Sequence, residues 1–463
     1  MASVSGLQGV RGAFVHAPLL GEVDFHPDAL IAFDETGQIR HVDDARAEDS
    51  IQLASRLAEA GSLLTLDEGQ VLLPGLIDLH VHAPQFPQMG TCLDLPLEDW
   101  LMKYTFPLEA RYSDIAFAQH VYDLLVRELL AQGTTTAVYF ATIHQDASLA
   151  LARRCMELGQ RAFVGKLSMD NPETCPDFYR EAGASAGIAS ARAFIHAVGE
   201  LTAASNGLVK PVITPRFLPS CTDDLLSGLG ELTGVHGCHV QTHCSESDWE
   251  HGYGLQRFGA TDTLTLERFG LLTDRTILAH CNFIDDEDIG RIRSVGAGVA
   301  HCPLSNIYFS HAVFASRRAL EAGVDVGLGS DIAGGSSPSL IENMRMAIHV
   351  SRLLEDGVDH RLAKAERGRE GARISSREAF WMATTAGGRA LSEPIGLFRE
   401  GYRFDAILMD ARRPVFPGMP AGERGQGIEL IDRLVYASHA QNIRKVWVDG
   451  RIVVDKGLAA TAR

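Results

Sequence analysis

Four short stretches hold the residues that could do chemistry: Asp78-Leu-His80-Val-His82, His243-Cys-Ser-Glu246, Ala279-His280 and Gly329-Ser-Asp331. Four imidazoles and one carboxylate form a donor set that suits a borderline divalent ion such as zinc. His80 and His82 are two residues apart, so in an extended chain they project to one side and can share an ion. A lone histidine at a strand end is usually a packed or capping residue, and H-x-H also arises by chance. Five candidate ligands at one place are much harder to assemble by accident. Glu246 lies three residues beyond His243, a spacing that lets it overhang an ion without ligating it. There it would take a proton from activated water and pass it to a substrate, while Asp331 accepts the water's other proton. Hydrolytic deamination of a ring suits such a shuttle, because the ring gains a proton as the water loses one. The plainer alternative for Glu246 is an acid at a helix N-terminus, stabilised by the dipole.

The elements that must position these residues alternate along the chain. Apolar runs at Val71–Leu79, Thr134–Phe140, Arg161–Leu167, Pro211–Arg216, Cys238–His243, Thr276–His280, Ala297–His301 and Val324–Gly329 read as strands. Helical spacing occupies Ala116–Leu130, Ser190–Thr202, Asp285–Ser294 and Leu340–Leu354 between them. Eight strands alternating with helices predict an α/β fold, a closed (β/α)8 TIM-like barrel, over an open doubly wound sheet. Barrels place chemistry at the C-terminal ends of their strands, which is where His80, His82, His243, His280 and Asp331 fall. The two chain ends read as short strands, with Phe404–Met409 extended and Val446–Val454 a hairpin turning at Asp449-Gly450. Neither end can bury a core alone, so residues 1–70 and 401–463 are expected to pair into a small β-sandwich domain beside a barrel over 71–400. The charged stretch Asp359–Arg377 reads as a solvated loop or helix face.

Composition narrows the partners. The 463 residues carry 42 Lys and Arg against 59 Asp and Glu, a formal charge of −17 that disfavours a nucleic-acid polymer. A hydrophobic fraction of 46% implies a sizeable core. No signal peptide or membrane-spanning run is evident, and the eight cysteines lack a C-x-x-C pair, so a cytoplasmic protein with reduced thiols and no membrane partner is expected. No repeat or low-complexity segment occurs. Gly327-Leu-Gly-Ser-Asp-Ile-Ala-Gly-Gly335 lacks the dinucleotide spacing, and the P-C-x-x-C of cytidine-type deaminases is missing. A two-metal barrel site needs a bridging acid, often a modified lysine ending the fourth strand. That strand ends Pro215-Arg216-Phe217, with Lys210 at its start and Lys166 in the third, so one zinc per subunit is expected, iron being the alternative. His301, ending the seventh strand, reads as structural or as a support to the ligands.

Pro74-Gly-Leu-Ile-Asp-Leu-His-Val-His82, His243-x-x-Glu246, Ala279-His280 and Gly329-Ser-Asp331 resemble the deaminase branch of the amidohydrolase superfamily. More narrowly, His82-Ala-Pro-Gln-Phe86, Leu93–Leu97, Trp100–Pro107, Tyr139–Thr142, Gln160–Lys166, Met169-Asp170, Thr214–Phe217 and Ser330–Gly335 resemble the guanine deaminase family. The resemblance spans roughly residues 70 to 400. It implies hydrolysis of guanine to xanthine and ammonia in a homodimeric zinc enzyme, with Glu246, Asp331 and His280 catalytic. It also implies substrate contacts from His82, Ala83, Pro84, Gln85, Arg216, Phe217 and His243. A guanidinium can donate to purine O6 and N7, an amide can both donate and accept, and a phenyl ring can stack. Core packing is the plainer reading of Phe217, and more so of Trp100, the last substrate candidate. Related enzymes acting on 8-oxoguanine, a pterin or a triazine share the metal motifs, and a metal-free binding protein could use the same barrel.

Overall fold

In the computed structural model, residues 6–411 and 428–457 are described. Eight parallel strands run Leu76–His82, Thr134–Phe140, Arg161–Gly165, Val209–Pro215, His239–Cys244, Thr276–His280, Gly298–His301 and Asp325–Leu328. Each pairs with the next, and Leu328 opposite Asp78 joins the last to the first, so the sheet closes as the alternating pattern predicts. Its interior is filled by Ile77, Leu79, Val138, Phe163, Val212, Ile277, Ala279, Ala300 and Cys302, with Ala390, Leu391 and Ile395 packed against them. The expected helices are present. One spans Ile115–Ala131, capped by Asp114, whose carboxylate accepts from Ala116 and Phe117. Its buried residues Ala118, Val121, Tyr122, Leu125 and Leu129 recur at helical spacing. Another, Ala184–Ala204, is longer than the predicted Ser190–Thr202.

One predicted strand, Val71–Leu79, is two. Gln70–Pro74 belongs to a separate sheet and Leu76–His82 to the barrel. The break falls at Gly75, where a Cβ would lie 2.1 Å from Thr135 Oγ1, so only glycine lets the chain pass between the layers. The separate sheet takes strands from both chain ends, in the order 451–455, 443–448, 406–410, 70–74, 8–16, 24–33 and 39–44, with 63–65 beside 8–16. Strand 24–33 is three steps from strand 406–410, roughly 14 Å in a flat sheet. Phe33 nevertheless stacks on Phe404, next to the latter strand, at 4.1 Å. The sheet therefore folds over a common core that includes Val10, Phe14, Ile31, Leu72 and Trp447. The C-terminal hairpin turns at Asp449 and Gly450 with φ of 47° and 72°, a primed turn as Asp-Gly predicts. The same segment also supplies a helix, Ile428–Ala437, whose Ile431 and Val435 join the core around the barrel. Asp359–Arg377 is mostly exposed, though Ala372 and Ile374 are buried.

The two layers are tied by a buried ion triad. Arg161, at the start of the third barrel strand, donates to Asp405 at 3.0 and 3.2 Å and to Asp449 at 2.6 Å. Burial opposes the guanidinium charge, yet the two carboxylates outweigh it and hold its pKa above the ordinary value. Asp405→Ala strips a buried cation of its two-point partner and is expected to lower stability by about 3 kcal/mol. Denaturant unfolding followed by far-UV circular dichroism measures this, and an unchanged midpoint would show the triad to be dispensable.

Candidate functional site

The ligating atoms of His80, His243, His280 and Asp331 lie within 4.8 Å of one another, and all four residues are buried. His82 sits at the edge of this group, its Nε2 3.0 Å from His243 Nε2 and 3.4 Å from Asp331 Oδ1. His80 Nε2 is 3.0 Å from Asp331 Oδ1 and His280 Nε2 3.8 Å from Oδ2. Bonds of about 2.0–2.1 Å to one shared ion would put adjacent ligand atoms roughly 3 Å apart, close to these separations. Burial lowers the pKa of all four imidazoles, and the neighbouring rings reinforce it for His80, His82 and His243. Neutral imidazole is the form that binds a metal. His280 Nε2 is buried without a hydrogen-bond partner, and His80 Nε2, though close to Asp331 Oδ1, makes no hydrogen bond with it, a costly arrangement that an ion would relieve. The residues present thus fit a divalent cation.

Supporting contacts orient this set. His243 Nδ1 meets the Arg216 carbonyl oxygen at 2.6 Å, and His280 Nδ1 meets Asn306 Oδ1 at 2.9 Å. Each contact places a ring N–H away from the cluster and leaves Nε2 as the donor toward it. Asp331 N donates to the His80 carbonyl at 2.8 Å, and Asp78 Oδ1 accepts from Ser330 N at 2.9 Å and His80 N at 3.2 Å. These bonds lock the end of the eighth strand to the first. His280 and Asp331 have φ of 73° and 48°, left-handed values that a non-glycine residue adopts only where the surroundings enforce them. Lys166 pairs with Glu181 and Lys210 with Glu393, so neither lysine belongs to the cluster. His301 also lies outside it, buried with both ring nitrogens unpaired, and burial lowers its pKa to about 3.

A narrow pocket opens on the cluster. Its walls are His82, Gln85, Leu97, Trp100, Leu101, Arg216, Phe217, His243, Glu246, Ser305, Phe309, Asp331 and Gly334. Glu246 Oε1 lies 3.7 Å from His280 Nε2. Burial, then the Asp331 charge, pushes the Glu246 carboxyl well above the usual range. Its backbone N–H donates to Glu250 Oε2 at 2.6 Å, fixing the turn that presents it. Phe217 packs near His243 and Trp249, and Trp100 donates to the Thr91 carbonyl at 2.9 Å while packing on Phe309. Ala83 and Pro84 begin the short turn that carries Gln85, but their side chains are not among those lining the cavity. The Pro84 carbonyl accepts from Tyr112 at 2.7 Å instead. Gly334 lets the chain approach closely, since a Cβ there would lie 2.9 Å from Asp331 Oδ2.

Several participants were not singled out from the sequence. Ser305 and Asn306 lie on the helix Pro303–Phe309 that follows the seventh strand, and polar residues just past that end of a barrel strand are a usable signal. Asp78 stands two residues before the H-x-H motif, and nothing in that spacing marks it as a partner of the eighth strand's end. Glu109 had the weakest signal, a single acid in a helical stretch. It is nevertheless buried and accepts from Gln85 at 2.9 Å and from Arg216 at 2.7 and 3.2 Å.

Residues 71–453 match the model of the amidohydrolase family. A probable guanine deaminase of Schizosaccharomyces pombe is 35% identical over 448 residues, covering 96% of this chain and 82% of that protein. The guanine deaminase of Homo sapiens is 35% identical over 455 residues, covering 96% of each. Among solved structures, the guanine deaminase of C. acetobutylicum with guanine bound in its active site superposes with a TM-score of 0.84. It is 29% identical, and the match covers 97% of this chain and 100% of that one. Among the described residues, no helix is long and apolar enough to cross a membrane.

Asn306 touches the cluster only through His280. Asn306→Ala is expected to weaken divalent-metal affinity about 10–100-fold. Competition with a chromophoric chelator measures this, and an unchanged affinity would remove Asn306 from the support of the site.

Proposed function

We infer that this chain, which belongs to the amidohydrolase family, hydrolyses guanine to xanthine and ammonia. One observation carries the reading: the same pocket is walled by His82, His243 and Asp331 of the cluster, by Glu246, and by Gln85, Arg216 and Phe217. The resident metal we propose is one zinc held by His80, His82, His243, His280 and Asp331; when bound, it makes a water-derived nucleophile available at neutral pH.

The chain's own residues supply the rest. Glu246 takes one proton of the attacking water and delivers it to the ring nitrogen beside C2. Asp331 accepts the second and passes it to the departing amine. The C2–N bond breaks as C2=O forms, which leaves xanthine and ammonia. A carboxylate whose pKa is raised by burial is a stronger base than an exposed one, so Glu246 takes the water proton more readily and holds it until the ring nitrogen accepts it. Gln85 and Arg216 offer donors to the purine acceptors, Phe217 a stacking face, and Trp100 with Leu97, Leu101 and Phe309 an apolar wall that excludes water. His82 and His243 border the same cavity and limit how deeply the base enters. We place the enzyme in the cytoplasm as a homodimer. The eight free cysteines fit a reducing compartment, and the dimer rests on the sequence resemblance alone.

Glu246→Gln is expected to retain metal and to lose about 100-fold or more in kcat. Steady-state kinetics with metal analysis measures this, and substantial retained turnover would remove Glu246 from proton transfer. Ammonia release across guanine, 8-oxoguanine, a pterin and a triazine tests the substrate. Guanine is expected to dominate, and turnover of another ring with none of guanine would overturn the choice.

A further inference from the structure

Glu109 lies on the short helix Phe106–Ala110, wholly buried and outside the residues that line the cavity. A carboxylate taken out of water requires partners. Besides the buried Tyr179, its side-chain partners are two cavity walls. Its Oε1 accepts from Gln85 Nε2 at 2.9 Å and Arg216 Nη2 at 3.2 Å, and its Oε2 accepts from Arg216 Nη1 at 2.7 Å. An ionised carboxylate only accepts, so Gln85 must turn its NH2 toward Glu109. The other end of that amide agrees, since Oε1 accepts from Ala333 N at 3.2 Å. Gln85 thus has one orientation, with one N–H and one lone pair left over. Arg216 spends two of its five N–H donors on Glu109 and keeps three, its plane held over Phe106 at 5.0 Å.

We propose that Glu109 is a positioning residue for base recognition, setting Gln85 and Arg216 so that their spare donors read the 6-oxo edge of the purine. The inference rests on the guanine reading above. A simple counterion for Arg216 would have no need of Gln85. The contact with Gln85 is what couples the two recognition side chains through one carboxylate. A misplaced donor at this edge leaves a buried acceptor of the ligand unpaired, which is how a polar pocket discriminates most sharply.

The experiment compares binding of xanthine and 2-hydroxypurine, which differ by the 6-oxo group, to wild type, Glu109→Gln and Glu109→Asp by calorimetry. In E109Q one accepting oxygen becomes an NH2 that opposes an N–H of Arg216 or Gln85. Xanthine binding is expected to weaken about 10–100-fold, with 2-hydroxypurine binding and metal content essentially unchanged. E109D keeps the charge beside Arg216 but is one methylene too short to reach both partners. It is expected to lose part of the same preference, and it carries the test should E109Q not fold. Equal weakening of both ligands would make Glu109 only a structural counterion, and an unchanged preference for xanthine in either variant would overturn its role in positioning. Wild-type protein that neither deaminates guanine nor binds xanthine would instead overturn the functional reading, and the inference with it.

Discussion

Four imidazoles and two carboxylates share a space from which water is almost wholly excluded, and the cost of desolvating them shapes the mouth of the barrel. Burial holds His80, His82, His243 and His280 neutral and pushes Glu246 and Asp331 toward protonation. Such a set is stable only if a cation is supplied or protons are shared. The same desolvation that demands a metal also makes Glu246 a carboxyl that can hold and release a proton. Structural need and chemical capacity therefore have one origin.

Holding that set together falls to the seam where the barrel closes. Asp331 N bonds to the His80 carbonyl, and Asp78 Oδ1 takes backbone N–H groups from both strands of the seam. His280 and Asp331 occupy left-handed backbone conformations there, a local cost offset by the closed sheet around them. The floor is as fixed as the seam, because Ala390, Leu391 and Ile395 plug the interior and the Arg161 triad ties the barrel to the second sheet. Rigidity below allows precision above.

The wall proposed to recognise the base rests on the same economy of buried charge. Arg216 serves the site twice: its carbonyl orients His243 at the cluster, and its guanidinium faces the cavity. That guanidinium is tolerable in a dry wall because Glu109 neutralises it, and the neutralising carboxylate also fixes Gln85. The His/Asp cluster and the Gln85–Arg216 wall are thus joined through one residue of the fourth barrel strand's end.

The sequence by itself determined the closed barrel and the ligand candidates, because strand periodicity and residue type are local properties. His80, His82, His243, His280 and Asp331 were readable as strand-end donors before any coordinate, and the Asp449-Gly450 turn was readable from backbone preference alone. Tertiary structure decided what depends on contacts between distant segments. It split Val71–Leu79 at Gly75, where the neighbour in the way is Thr135 on another strand. It left His301 outside the cluster and brought Asn306 behind His280. Above all it gave Glu109 its place. Its partners Gln85 and Arg216 are 24 and 107 residues away, and a lone acid in a helix reveals nothing of its pairing until the barrel folds and removes the water.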